Sequence, residues 1–399
     1  MRKDGFSELK NKPIVLGIIA EYNPFHYGHA YQLQALREIT RAQTVIVLMS
    51  GNVVQRGEFA LVDKWKRAEA ALKSGADLVL EAPIVASLQG ADFFAKYNVQ
   101  LIKQCVVTTL GFGTETASTE ELKEFLDWQN IHKNAIDRYI KEALQEGLSY
   151  AASYHFAIHQ LENVPTFDIS SPNHMLAVQY IKANKESLNQ MDIVALPRLN
   201  SQDGQIIHSG SEIRQKLKKE EKPQELVPQS MAQLLEESYL MDWDHAYPFL
   251  RYRLAQHQPE SLRHIWGMRE GIEHLLLKNI YLTNNYNHFL ESMLSKRWTK
   301  SSIQRILMSI LLDISTSEWH RWEAQLYHQP TVQVLGFTEA GQKHLKSLKS
   351  QHKMTMISNL NQKTASLFSG NLRADAIMRM ISSDEISEQN FTRRPIIIK

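Results

Sequence analysis

Over its first 215 residues the chain alternates between short apolar runs and stretches in which apolar positions return every third or fourth residue. Residues 14–20 form a run interrupted only by Gly17, after which Leu33, Leu36 and Ile39 keep helical spacing. A second run at 45–49, a helical stretch near 64–74 and a third run at 78–80 repeat that order. Further strand candidates lie at 106–111 and 193–195, with helical stretches at 119–130, 134–146 and 174–182. Strands alternating with helices build βαβ units and a parallel sheet. The pattern predicts an α/β fold with a doubly wound parallel sheet, which takes its ligand at the carboxyl ends of the strands. His26, His29 and Asn52 fall at those ends.

The rhythm changes at 217–230, a polar segment with Pro223 and Pro228 that reads as a linker. Residues 231–314 carry helix-type patterns rich in Leu, Arg, Trp and Tyr. The tail switches again, with strand candidates at 332–337 and 354–358 and helices at 339–349 and 363–380, a small mixed α/β unit. The expected division is a nucleotide-binding domain at 13–217, a helical region at 231–330 and a small basic unit at 331–399. No repeat or low-complexity tract interrupts it.

Charge and composition then narrow the class. With 45 Lys and Arg against 43 Asp and Glu, the net charge is +2, so any nucleic-acid binding must come from local patches. A length of 399 residues with 43% hydrophobic positions suffices for two or three domains with real cores. The single cysteine, Cys105, excludes an internal disulfide framework and a multi-thiolate zinc site, and it fits a reducing cytoplasm. Its apolar neighbours Val106 and Val107 make it a core residue. No stretch of 18 apolar residues is present to span a membrane, and the polar residues 1–12 are expected to fray.

The first run flows directly into Glu21-Tyr22-Asn23-Pro24-Phe25-His26-Tyr27-Gly28-His29 and then into the first helix. Histidines and a glycine at a helix N-terminus suit nucleotide phosphates: free N–H groups and the positive end of the dipole face the anion, and glycine admits it closely. Spacing of three residues puts both imidazoles on one side of the first turn. The alternative is a pair of surface histidines capping a helix. A second element, Ile207-His208-Ser209-Gly210-Ser211-Glu212-Ile213-Arg214, places hydroxyls at another helix start and a guanidinium in its first turn. Such groups can grip phosphate oxygens, or be an N-cap serine and a surface arginine.

The strings GIIAEYNPFHYGHAYQL, SGNVVQRGEFALVDKWKRAEAALKSGADLVLEAP, LGFGTE, SPNHML and IHSGSEIR resemble the bacterial tRNA(Met) cytidine acetate ligase family, within the HxGH nucleotidyltransferase superfamily. The resemblance implies a Rossmann-like catalytic domain that uses ATP as cosubstrate, with Mg²⁺ carried on its phosphates, to form acetyl-adenylate from acetate. The acetyl group then passes to the exocyclic amine of the wobble cytidine in elongator tRNA(Met). His26 and His29 would be catalytic. The ATP site would comprise Ile19, Ala20, Glu21, Tyr22, Asn23, Pro24, Phe25, His26, Gly28 and His29 together with Gly113, Asn173, Arg198, Ser209, Ser211 and Arg214. Two positions depart from the family pattern: His174 stands where a second asparagine is usual, and Thr114 where serine is commoner.

Read from the residues alone, several of these have two meanings. Gly113 either admits the nucleoside or makes a turn; Asn173 either meets an adenine edge or caps a helix; Arg198 is either a nucleotide ligand or an exposed charge; Glu21 either orients a histidine or caps the loop. In the segment containing Gln55, Arg56, Asp63, Lys64 and Arg67, the basic residues are expected to meet phosphate or tRNA, with Trp65 in the core. Lys296, Arg297 and Lys300 around Trp298 are the leading candidates for tRNA phosphates, supported by ten Lys and Arg against four Asp and Glu over 341–399. No carboxylate cluster nominates a protein-held metal, and no obligate protein partner is evident. Two other functions fit the first domain: an adenylyltransferase for a phosphorylated coenzyme precursor, and a tRNA-binding protein without catalysis.

Overall fold

The computed structural model of the protein describes residues 13–164, 168–199, 201–202, 205–269, 271–350, 354–383 and 385–399. The expected frayed segment 1–12 lies outside them.

Five parallel strands build the centre: β1 (Val15–Ala20), β2 (Thr44–Ser50), β3 (Leu78–Ala82), β4 (Thr109–Thr114) and β5 (Asp192–Pro197), side by side in the order β3-β2-β1-β4-β5. The order reverses between β1 and β4, which opens a crevice at their carboxyl ends. Alternate side chains of each strand point to opposite faces, and both faces are covered. Val15, Ile19, Ile46, Leu48, Leu78 and Leu80 enter one core. Leu16, Ile18, Val45, Val47, Met49 and Val79 enter the other. Helices α1 (Tyr27–Thr40) and α2 (Lys64–Lys73) close the second face. α3 (Ala91–Gln104), α4 (Thr119–Ile131) and α7 (Pro172–Lys185) contribute to the first, and between them α5 (Lys133–Gln145) and α6 (Tyr150–His159) pack as a hairpin.

Three segments differ from the sequence expectation. Strand β4 starts at Thr109, not at 106, because α3 runs to Gln104 and Val106 takes φ 56° to reverse the chain. The expected linker 217–230 is packed: α8 (Gly210–Lys218) enters it, Leu226 and Val227 are buried, and α9 (Gln229–Glu236) adds Met231, Ala232 and Leu235 to the second core. Three apolar residues inside the polar stretch, Leu217, Leu226 and Val227, anchor it to the second core.

The C-terminal strands do not form a sheet of their own. After α10 (Trp243–Ala255), α11 (Ile272–Asn279), α12 (Tyr286–Met293), α13 (Lys300–Leu311) and α14 (Thr316–His328), β6 (Thr331–Phe337) pairs antiparallel with β3. β7 (Thr355–Ile357) and β8 (Ile396–Ile397) pair parallel with β6, giving eight strands in one mixed sheet. Helices α10 to α14 share a continuous core with the first face of that sheet. After α15 (Glu339–Lys349), α16 (Ser369–Ile381) sends Ala374 and Met378 into the same core.

Candidate active site

The site is assembled from the loops and helix starts at the carboxyl ends of β1, β4 and β5. Beyond Ala20 the chain turns through Tyr22 at φ 51° and a cis Asn23–Pro24 bond before α1 begins. His26 stands at the N-cap in extended conformation (φ −139°, ψ 174°), and its carbonyl accepts the N–H of His29 at 2.9 Å and of Ala30 at 3.1 Å. The N–H groups of Tyr27 and Gly28, ahead of these, have no intrahelical acceptor.

The two imidazoles stack, with centroids 3.6 Å apart and planes 18° from parallel. Beneath them Tyr22 meets His29 edge-on at 4.8 Å and Phe25 lies 5.7 Å away, a buried aromatic bed that fixes the ring. His29 Nδ1 accepts the backbone N–H of His26 at 3.3 Å, so a neutral His29 carries its proton on Nε2 as a donor. Burial lowers the proton affinity of His26 to a pKa of about 3, with the Arg198 charge adding to it; His29 falls well below its usual value through burial, His26 and Arg198. The pair is neutral at pH 7 and acts by donating hydrogen bonds. His26 Nδ1 is buried without a partner, an orphaned polar atom of the kind a bound ligand satisfies.

Two glycines bring the second element against this loop. A Cβ on Gly28 would lie 3.0 Å from His26 Cε1, and one on Gly210 would lie 3.0 Å from the Asn23 carbonyl oxygen. Arg214 Nη1 donates to that same oxygen at 2.7 Å, with its other nitrogen 3.8 Å from Glu58. The N-termini of α1 and α8 thus meet across Asn23, whose side chain accepts the Leu61 N–H at 2.8 Å. At the start of α8 the Ser209 hydroxyl accepts from the Glu212 N–H, and Glu212 accepts from the Ser209 N–H at 2.6 Å. The capping reading of Ser209 therefore holds in this state, and Ser211 Oγ sits 3.2 Å from it.

The far wall comes from β4 and β5. Arg198 follows β5, its N–H bonded to the Thr114 carbonyl at 2.9 Å and its guanidinium 3.6 Å from Glu115. Asn173 also donates to Glu115, which sequence reasoning did not single out and which links the two. Gly113 is exposed at the end of β4, where a Cβ would make ordinary contact with Gln32, 3.5 Å from its Nε2. Ser171, not Asn173, caps α7. The two departures from the family pattern have structural roles: Thr114 donates its hydroxyl to the Ala117 carbonyl at 2.7 Å, and buried His174 accepts the Thr116 and Ala117 N–H groups through Nε2 at 3.0 and 3.2 Å. The side chains of Ile19 and Phe25 are in the cores, so those positions offer a ligand only backbone atoms. Ala20 and Pro24 likewise shape the loop. Glu21 accepts the Gln55 N–H at 2.6 Å, and burial raises its pKa against the pull of Arg56 and Arg214.

Lys64 and Arg67 are not at a substrate surface, which corrects the expectation drawn from their sequence. Both are fully buried. Lys64 Nζ lies 2.7 Å from Glu81 and 2.7 Å from Asp375, with Asn390 at 3.1 Å and Gln333 at 3.2 Å. Arg67 donates to the carbonyls of Val62, Glu21, Ser50 and Gly51 at 2.6–3.1 Å and so ties the histidine loop to the end of β2. Charges without surface access are kept inside only when their bonds are made within the protein. Trp65 is buried as expected, and its Nε1 donates to the Gln389 carbonyl at 2.8 Å. Lys296, Arg297 and Lys300 are exposed, in the loop before α13 and at its first residue.

Two helix N-termini flanked by Arg198 and Arg214, with a pair of neutral imidazoles between them, define a nucleotidyltransferase site at the switch point of a doubly wound sheet. The family model of the HIGH Nucleotidyl Transferases matches residues 14–394. Among curated relatives, the tRNA(Met) cytidine acetate ligase of Latilactobacillus sakei is 34% identical, covering 96% of this chain and 97% of its own. That of Staphylococcus haemolyticus is also 34% identical, over 96% and 98%. The crystal structure of Thermotoga maritima TmcAL bound with alpha-thio ATP superposes with a TM-score of 0.85 at 25% identity, over 96% of this chain and 99% of the other. The chain belongs to the tRNA(Met) cytidine acetate ligase family of HIGH nucleotidyltransferases.

Proposed function

We propose that the protein uses ATP to activate acetate and transfers the acetyl group to the N4 amine of the wobble cytidine in elongator tRNA(Met), giving N4-acetylcytidine. The observation that carries this reading is the meeting of the α1 and α8 N-termini over the neutral histidine pair, in a chain that matches relatives of that name along almost its whole length. The triphosphate fits between the two helix starts, where His26 Nδ1 awaits a partner.

In the first step an acetate oxygen attacks the α-phosphorus, the new O–P bond forms, and the bond to pyrophosphate breaks with its electrons leaving on that group. His26 and His29 donate hydrogen bonds to the charge gathering on phosphoryl and leaving-group oxygens; they do not need to give up protons. Arg214 takes the pyrophosphate end, and Arg198, Asn173 and Gly113 take the nucleoside side. Mg²⁺ carried in with ATP would offset the charge of the triphosphate, and among the described residues no group of His, Cys, Asp and Glu is gathered to hold it separately. In the second step the cytidine amine attacks the acetyl carbonyl carbon, AMP departs with the electrons of the C–O bond, and the amine proton passes to solvent or to the AMP phosphate. Position and exclusion of water suffice for a mixed anhydride. Exposed Lys296, Arg297 and Lys300 supply phosphate contacts to the tRNA. A tRNA substrate is met in the cytoplasm, which is the compartment this reading expects; among the described residues no helix is long and apolar enough to cross a membrane.

ATP–pyrophosphate exchange with a panel of small acids, followed by transfer to a tRNA(Met) transcript, tests this. Exchange dependent on acetate with acetylated transcript is expected. Exchange only with a phosphorylated small molecule, or with no acid at all, would overturn it.

A further inference from the structure

The strongest feature that the catalytic reading leaves unused is a line of cations leading away from the histidine loop. It begins at Glu21, whose carboxylate holds the Gln55 N–H at the base of a short hairpin, Val53–Val54 paired with Glu58–Phe59. The turn of that hairpin carries Arg56, which is exposed, and Gly57 at φ 76°. A Cβ on Gly57 would lie 2.4 Å from the backbone nitrogen of Arg305, so only glycine lets the turn seat on α13. Trp243 Nε1 donates to the Gly57 carbonyl at 3.1 Å and Gln304 donates to Glu58 at 3.0 Å, which clamps the turn from both sides.

Arg305 continues the line along α13. Burial draws its pKa down to about 10; Asp92 opposes this, and the like charges of Arg269 and Arg56 add to it, so both guanidinium groups lie near enough to act on Arg305. Arg269 lies over the Trp298 ring, 5.9 Å from its centroid. Trp298 and Ser295 exchange backbone hydrogen bonds at 3.2 and 3.3 Å, closing the loop that bears Lys296 and Arg297. Among the described residues none of these cations forms an ion pair, although the chain has almost as many acidic as basic residues. Like charges held together without a direct ion pair concentrate a positive potential, which Asp92 and Glu21 offset only from a distance.

We propose that Arg56, Arg305 and Arg269 form a track for the unpaired nucleotides beside the reacting cytidine, running from the exposed loop at Lys296 to the histidine site. The inference rests on the tRNA reading above. Two observations favour RNA over an acidic protein: the track ends at a site that must receive a single base, and the Arg269 guanidinium backed by Trp298 is a planar surface on which a base can stack. Arg56 and Arg305, on the clamped hairpin and on α13, offer planar forks suited to phosphate oxygens.

The test is the affinity of a tRNA(Met) transcript, and of its isolated anticodon stem-loop, across a potassium chloride series. The exposed pair Arg56→Ala with Arg269→Ala should weaken binding roughly tenfold or more, the scale of removing one base stack. The slope of log affinity against log salt should flatten by about 0.7 for each single-strand phosphate that the variant no longer neutralises. Arg269→Lys keeps a charge but not a plane, so it should retain the slope and lose affinity. Arg138→Ala, a surface arginine on α5, should bind as wild type does. A double variant with wild-type affinity and slope, in a protein whose wild type acetylates the transcript, overturns the track alone. A wild type that neither binds nor acetylates tRNA overturns the function proposed above as well.

Discussion

Replacing Lys64 with methionine keeps the length of the side chain and removes its charge from a site with no access to water. The ammonium now sits 2.7 Å from each of two buried carboxylates, Glu81 and Asp375, whose side chains are at most 1% exposed. Without it the carboxylates face each other, held only by amides: Asn371 on Glu81 at 2.7 Å, and Asn52 and Asn390 on Asp375 at 2.8 and 3.0 Å. Breaking such a pair by removing one partner costs about 3–5 kcal/mol. The deficit must also depend on pH. Burial, opposed by Lys64 and reinforced by Asp375, already raises the Glu81 pKa to about 7 from an ordinary 4.5, and loss of Lys64 raises it further. A carboxyl whose folded value is raised stabilises the fold fully below its unfolded value and loses that contribution as pH climbs through the folded value. Each further unit on Glu81 therefore adds about 1.4 kcal/mol to the deficit above neutral pH and nothing in acid. Urea unfolding of both proteins at about pH 8 and about pH 5.5, compared at each pH so that groups common to both cancel, should show a deficit that narrows on acidification. A deficit below about 1 kcal/mol, or one that widens in acid, would refute the reasoning.

Three further outcomes bear on the site. His29→Ala and His26→Ala should each slow acetate-dependent pyrophosphate exchange by about two to three orders of magnitude with the unfolding midpoint little changed, and wild-type exchange in both would return the histidines to a capping role. Arg214→Lys should weaken ATP and pyrophosphate more than AMP in direct titration, because it loses the planar fork that holds Asn23 and, on the proposed function, would also grip a phosphate; equal losses for all three ligands would put Arg214 on the α-phosphate or ribose. Lys296→Ala with Arg297→Ala and Lys300→Ala should weaken tRNA binding and flatten its salt dependence, and unchanged binding would move the recognition surface toward the basic residues after Gly341.

What the sequence made legible was local. The apolar runs at β1 and β2 and the glycine and histidines after β1 each express their structure within a few residues, so the parallel sheet and the histidine loop could be read directly. Lys64 and Arg67 could not. In a stretch reading Lys64-Trp65-Lys66-Arg67 a solvated basic face is the natural inference, yet Lys64 is buried by a carboxylate 311 residues downstream and Arg67 by four backbone carbonyls. Nothing in a helical period distinguishes a cation that will meet water from one that will meet Asp375. The same holds for β6: its apolar pattern announced a strand, but its neighbour, β3, was set by packing across the whole chain. Glu115 was passed over because a lone glutamate after a strand has no local signature, and only the fold brings Asn173 and Arg198 to it.

That arrangement bears on how the molecule comes into being on the ribosome. The histidine loop and its first four strands emerge early, but the second carboxylate on Lys64, Asp375, and the strand that covers β3 come late in translation. Until then Lys64 has only Glu81 beside it and β3 presents an open sheet edge, a template for wrong pairing. A message cut short before β6 thus yields a polypeptide with every group of the ATP site encoded, on a sheet that still lacks the strand covering β3 and around a lysine that lacks its second carboxylate.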